Sequence, residues 1–323
     1  MVPKNSMFNQ AMACGLLFGC LSLGSAQAQM NHGTHGQLKI GGLNSNHMQA
    51  GEPTDWLLRF FDSHTHQQIT DFDIMHGKLM HMIVVKDDLS ELAHIHPKLS
   101  DTGDFSIRVN TQNEDPDNQD LPNTVLSAGR YFVFTEALPK DAEMMIMNHF
   151  ELSAEGMDSQ PKPLEIDLDM DQGEDFGAKY FKEDGSPGVE GDHYRVEFSV
   201  ELFEWCNYYL PKFYFKILEN REGDYLPAEN LNEWLTMGGH AVLVGLDGEK
   251  LEDRTFYHLH SFSPIDEPAL FTFPYDNHQE GLPDGEYKIW GQFKQAEQIL
   301  SFSFGLRFKN PPSSVSIFRK TAC

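Results

Sequence analysis

His81-Met82-Ile83-Val84-Val85, followed after a turn by Ala93-His94-Ile95-His96, decides the fold, because the same text returns later in the chain. His240-Ala241-Val242-Leu243-Val244 leads there to Tyr257-His258-Leu259-His260. In both copies a short apolar segment, rich in β-branched residues in the first, begins on a histidine and is followed by a His-x-His pair. Side chains at i and i+2 of a strand project from one face, so each pair can aim two imidazoles at one ion while Ile95 or Leu259 packs the other way. Each pair then leads to a turn and strand, Gly103-Asp104-Phe105 in one copy and Pro268-Ala269-Leu270 in the other. A closing strand follows each, after Ser127-Ala128-Gly129-Arg130-Tyr131 and after Pro283-Asp284-Gly285-Glu286-Tyr287. A repeat this long is a duplicated domain and not a solenoid.

The surrounding text agrees. Trp56–Phe61, Phe105–Val109, Tyr131–Phe134, Tyr194–Val200, Phe213–Ile217, Leu270–Phe273, Tyr287–Trp290 and Leu300–Phe308 are short aromatic or β-branched runs bounded by Gly, Pro, Asp or Asn. Long helical periodicity is absent. The expectation is an all-β chain of two immunoglobulin-like or cupredoxin-like β-sandwich domains, residues 50–155 and 190–310. Residues 29–49 read as a flexible His-containing tail, 156–189 as an acidic linker able to carry short strands, and 311–323 as a C-terminal tail.

Residues 1–28 read as a signal peptide: Lys4, an apolar run from Ala11 to Leu23, and the small-x-small site Ala26-Gln27-Ala28. Cleavage there predicts a periplasmic or secreted chain. Lipoprotein processing at Cys20 is the weaker alternative, because Phe18 is bulky for that signal. The 323 residues carry a formal net charge of −25, which argues against a nucleic-acid partner. Only Cys206 and Cys323 would survive cleavage, and neither forms a CxxC pair, so a tetrathiolate site is excluded.

The candidate metal ligands are therefore His76, His81, His94 and His96 in the first half, and Met237, His240, His258 and His260 in the second. Imidazole suits copper, zinc, nickel and iron, while thioether favours copper(I). With Met75, Met80 and Met82 nearby in sequence, copper comes first and zinc second. The plain alternative for any single histidine is a structural residue bonded to a carbonyl. His32, His35, His64 and His66, and the Met144–Met147 run near His149, are weaker candidates.

Phe72-Asp73-Ile74-Met75-His76-Gly77-Lys78-Leu79-Met80-His81-Met82-Ile83-Val84-Val85, then Asp88-Leu89, then His94-Ile95-His96-Pro97, resembles the YtkA-like domains of secreted bacterial proteins. Leu235–His240 with His258-Leu259-His260 resembles a more divergent second copy. The resemblance implies an all-β sandwich and metal handling in the cell envelope, with histidines at His76, His81, His94, His96, His240, His258 and His260. The second copy departs at Leu235, in the place of His76, and at Ser261, in the place of Pro97.

The expected function is a metal-binding protein, a copper carrier or buffer serving an envelope transporter or recipient protein. A structural or interaction module is the alternative. An enzyme is disfavoured: no nucleophile elbow, His-Glu-x-x-His helix or phosphate loop is present, and no carboxylate recurs beside both clusters.

Overall fold

The computed structural model describes residues 34–41, 46–110, 125–157, 160–205, 208–248, 254–265, 268–275, 281–310 and 317–321. The signal-peptide segment, Met30, His32, Cys206 and Cys323 lie outside them.

The first sandwich uses β1 (Thr34–Ile40), β2 (His47–Gln49), β3 (Thr54–Asp62), β4 (Gln68–Ile69), β5 (Phe72–Asp73), β6 (Met80–Lys86), β7 (Leu92–Ile95), β8 (Lys98–Leu99), β9 (Phe105–Val109), β10 (Gly129–Pro139) and β11 (Ile146–Glu155). One sheet runs β1-β3-β9-β8, with β4 on β3; the other runs β2-β11-β10-β6-β7, with β5 on β10. Trp56, Phe60, Phe105, Met82, Val84, Tyr131 and Val133 are among the buried side chains between them.

The second sandwich uses β12 (Leu168–Asp169), β13 (Phe176–Phe181), β14 (Tyr194–Trp205), β15 (Tyr208–Arg221), β16 (Asp224–Pro227), β17 (Leu231–Asn232), β18 (Gly239–Gly245), β19 (Phe256–Ser261), β20 (Leu270–Pro274), β21 (Gly285–Gln295), β22 (Gln298–Phe308) and β23 (Ile317–Thr321). Its sheet β12-β22-β21-β18-β19, with β17 on β21, repeats the order β2-β11-β10-β6-β7 strand for strand. In both, the first-named strand joins the second in parallel and the other neighbours pair antiparallel. Each closing strand carries the same tyrosine corner: Tyr131 donates to the Ser127 carbonyl at 2.9 Å and Tyr287 to the Pro283 carbonyl at 2.8 Å.

Three expected boundaries change. Within the tail assigned to 29–49, β1 pairs with β3 from Thr34↔Asp62 to Ile40↔Trp56, and β2 pairs with β11. Within the linker assigned to 156–189, β12 and β13 belong to the second sandwich through β22 and β14. In the C-terminal tail, β23 pairs with β14. Each of these segments is drawn into its sheet by pairing with a longer strand.

The repeated sheets also face one another. Met82 and Val84 point into the first core, whereas Ile83 and Val85 join Leu89, Phe132 and Phe134 against Val242, Val244, Phe256 and Trp290 of the second domain. Phe134 and Phe256 stack with centroids 3.9 Å apart and planes 7° from parallel. Arg254 reaches across too, its guanidinium 4.5 Å above the Phe132 ring and its Nη1 donating to the Asp87 carbonyl at 2.8 Å. A strand buried on both faces needs apolar residues without alternation, which is what Met82–Val85 and Ala241–Val244 supply. The seam takes the odd-numbered positions of β6 and the even-numbered positions of β18, and this parity puts His81 and His240 on it.

Candidate metal centre

At one end of the seam the apolar contacts give way to imidazoles. His81 is 0% exposed, His94 1%, His96 5%, His240 0% and His258 1%, so these polar rings need partners inside the protein. The two copies meet directly: the centroids of His81 and His240 lie 6.1 Å apart, and those of His94 and His258 4.9 Å. The structure thus replaces two separate domain sites with one cluster between domains.

Local pairing repeats in each half. His81 Nδ1 faces His94 Nε2 at 3.1 Å, and His240 Nδ1 faces His258 Nε2 at 3.2 Å. The outer nitrogens are anchored. His81 Nε2 donates to the Met75 carbonyl at 3.0 Å and His240 Nε2 to the Trp234 carbonyl at 3.3 Å. Because a carbonyl only accepts, these protons sit outside, and each inner Nδ1 carries a lone pair. The remaining anchors cross the seam: His94 Nδ1 bonds Gln292 Oε1 and His258 Nδ1 bonds Glu136 Oε2, both at 2.9 Å.

With Gln292 presenting its oxygen and Glu136 ionised, the inner nitrogens of each pair hold lone pairs that face each other. Such a pair repels unless a cation lies between. Two nitrogens about 2.0–2.1 Å from one ion at a tetrahedral angle stand about 3.3 Å apart, close to the spacing seen. In the second half the His-x-His geometry supplies a third nitrogen, that of His260, whereas in the first half the third ligand atom within reach of His81 and His94 is that of His258. His96 lies 4.9 Å from His94, and His260 4.6 Å from His258, between centroids. The Nε2 atoms of both His96 and His260 are buried without a hydrogen-bond partner. His81, His94 and His258 bring ligand atoms within 4.8 Å of one another, as do His240, His258 and His260. These clusters could hold a metal ion.

Burial keeps the rings neutral, the form that binds metal. It lowers His81 to about 3, with His94 adding repulsion, and holds His94, His96, His240, His258 and His260 well below the ordinary imidazole value. Burial also pushes the Glu136 carboxyl up to about 7, against the pull of His81 and His76.

Other expected ligands land differently. His76, placed with the first domain's histidines, is half-buried and crosses to the second: its ring lies 4.2 Å from His260 but 6.2 Å from His81. A tight turn aims it, with Met75 paired to Lys78 and positive φ at His76 (48°) and Gly77 (79°). The matching turn pairs Trp234 with Met237 and has Leu235 at 53° and Thr236 at 65°. Met237 is buried and its backbone closes that turn. Met80 and Met82 belong to the first core, facing away from the seam, so these two sulfurs are not part of the cluster. His35 stacks on Phe61, and His64 and His66 occupy an exposed turn after β3.

Sequence reading missed Glu136 and Gln292. Each stands in a buried strand directly opposite a seam histidine of its own sheet, Glu136 beside His81 and Gln292 beside His240. A polar residue at the matching register of the two strands, each beside its histidine, was the available signal.

Residues 36–156 match a family described as a domain of unknown function (DUF8832), a span that coincides with the first sandwich. No curated protein matches the chain.

Proposed function

We propose that the chain is an exported metal-binding protein that holds divalent transition ions, copper(II) first and zinc(II) second, between its two sandwiches. One observation carries this reading: His96 and His260, related by the duplication, bury unpartnered Nε2 atoms beside two imidazole pairs with chelating spacing. An all-imidazole set suits both ions, and copper(II) stands highest in the affinity order of divalent first-row metals. Burial of these neutral imidazoles away from solvent suits holding an ion. Buffering fits such a site, and an envelope transporter or recipient protein would reach it at the half-buried His76–His260 edge.

A structural latch is the second reading. With the proton on Glu136, the run Glu136–His258–His240–Trp234 becomes a satisfied chain of donors and acceptors that ties the domains together without metal. The unpartnered nitrogens of His96 and His260 weigh against it.

Metal analysis by mass spectrometry of tag-free protein purified from the periplasm separates the two. The metal reading expects bound copper or zinc in the wild type and its loss on replacing His94, His96, His258 and His260 by Gln. Metal-free protein that takes up neither ion on titration supports the latch and overturns the metal reading.

A further inference from the structure

We infer that the two halves of the cluster are unequal, and that the second domain's histidines, His240, His258 and His260, form the tighter site because the first domain supplies both its carboxylate anchor and an extra imidazole. This rests on the metal-binding reading and adds to it an order of loading and the residues that set it.

The duplication makes the comparison internal. His81 corresponds to His240, His94 to His258 and His96 to His260, and their ring contacts repeat: His81 to His96 and His240 to His260 are both 5.0 Å between centroids, near perpendicular. The backbone anchors repeat too, on Met75 and Trp234. What differs is what each half receives across the seam. His258 Nδ1 donates to the Glu136 carboxylate, while His94 Nδ1 donates to the neutral amide oxygen of Gln292, at the same 2.9 Å. A carboxylate behind a ligating imidazole raises its basicity and fixes its tautomer, an effect on metal affinity of about 10–100-fold. The turn residues differ in the same sense. His76 lies 4.2 Å from His260, whereas the second domain offers Leu235 at the matching turn position. Both departures from symmetry therefore favour one side. Glu136 is a positioning residue, acting through His258; His76 is a further imidazole packed on His260 at the edge of the centre.

The test is titration of the whole metal-free protein with zinc chloride, and separately with copper sulfate, followed by calorimetry and native mass spectrometry. Two ions should bind in steps at least tenfold apart. Glu136→Gln, which copies the amide of the first site, should weaken the tighter step about tenfold or more and narrow the gap. His76→Leu should weaken the same step, and Gln292→Glu should strengthen the weaker one. Ultraviolet circular dichroism of each variant verifies folding, and Gln292→Glu keeps the test decisive if Glu136→Gln does not fold. Two equal steps, or a tighter step indifferent to both Glu136→Gln and His76→Leu, would overturn the inference while leaving metal binding intact. A single ion per chain overturns it as well. Failure to bind either ion instead overturns the reading beneath it.

Discussion

Glu136 stands next to His81 in the sheet of its own domain, yet its carboxylate accepts a hydrogen bond from His258 of the other domain at 2.9 Å. Gln292 does the converse, standing next to His240 and bonding His94. Each domain thus orients the imidazole of its partner, which makes domain docking and the histidine cluster one structural unit. Removing one partner of a buried hydrogen bond leaves the other unsatisfied, which costs about 1–3 kcal/mol and more where that group is charged. His258→Ala should therefore destabilise the metal-free protein by about 3 kcal/mol. Adding Glu136→Leu to that variant should recover about 1 kcal/mol or more. Urea unfolding of the two single variants and the double variant measures the coupling; additive effects would mean that the two residues do not act as a pair.

Metal should stabilise the whole chain and not one domain. An ion that binds only the folded state at a thousand times its dissociation constant adds about 4 kcal/mol. Because ligands come from both sandwiches, thermal unfolding with zinc or copper should move upward as a single transition. A chelator should return it to the metal-free temperature. If calorimetry shows two transitions and only one responds to metal, the shared seam is not the binding place.

Much of this was legible in the sequence. The strand period placed His94 with His96 and His258 with His260, and the repeat tied each pair to His81 or His240. Those are local facts, set by alternation along a strand. Ile95 and Leu259 sit in the two cores, on the opposite side from the paired histidines. Docking was not legible, because no period within one strand says which outer face meets another domain. The unalternating runs at Met82–Val85 and Ala241–Val244 held that information, as strands covered on both faces. His76 was attached to the wrong half for the same reason: sequence proximity to His81 says nothing about a turn that projects across a seam. The nearby methionines misled because Met80 and Met82 alternate inward, away from the histidines whose sequence neighbourhood they share.

Acid should undo the seam. Free imidazole titrates near 6.5, whereas burial lowers His81 to about 3 and the other five buried-cluster rings well below 6.5. In that interval the folded protein binds fewer protons than the unfolded chain, so its stability falls as the pH falls. The contribution is whole above 6.5 and is lost as the pH drops from there toward 3. Glu136, raised from 4.5 to about 7, works in the opposite sense between those values, but it is one group against six. The urea midpoint of metal-free protein should therefore decline steadily from pH 7 to pH 5. A midpoint unchanged over that range would mean that the rings are solvated and the cluster is open.

The stacked pair at the apolar end tests docking without touching a ligand. Phe134 is 6% exposed and Phe256 3%, and their rings lie 3.9 Å apart across the seam. Truncating a buried phenylalanine to alanine costs about 3–5 kcal/mol, the transfer of its ring plus the cavity left behind. In Phe256→Ala that loss falls on contacts between domains, since Phe256 belongs to the seam cluster and not to the second core. The strands of each sandwich should survive while the two separate more readily. Small-angle scattering of the metal-free variant should give a larger radius of gyration than the wild type, with an unchanged far-ultraviolet spectrum. Zinc or copper, by drawing histidines of both domains onto the same centre, should return that radius toward the wild-type value. A variant that stays compact without metal would show that the imidazole end alone holds the domains together; one that stays expanded at saturating metal would show that the ion binds within one domain.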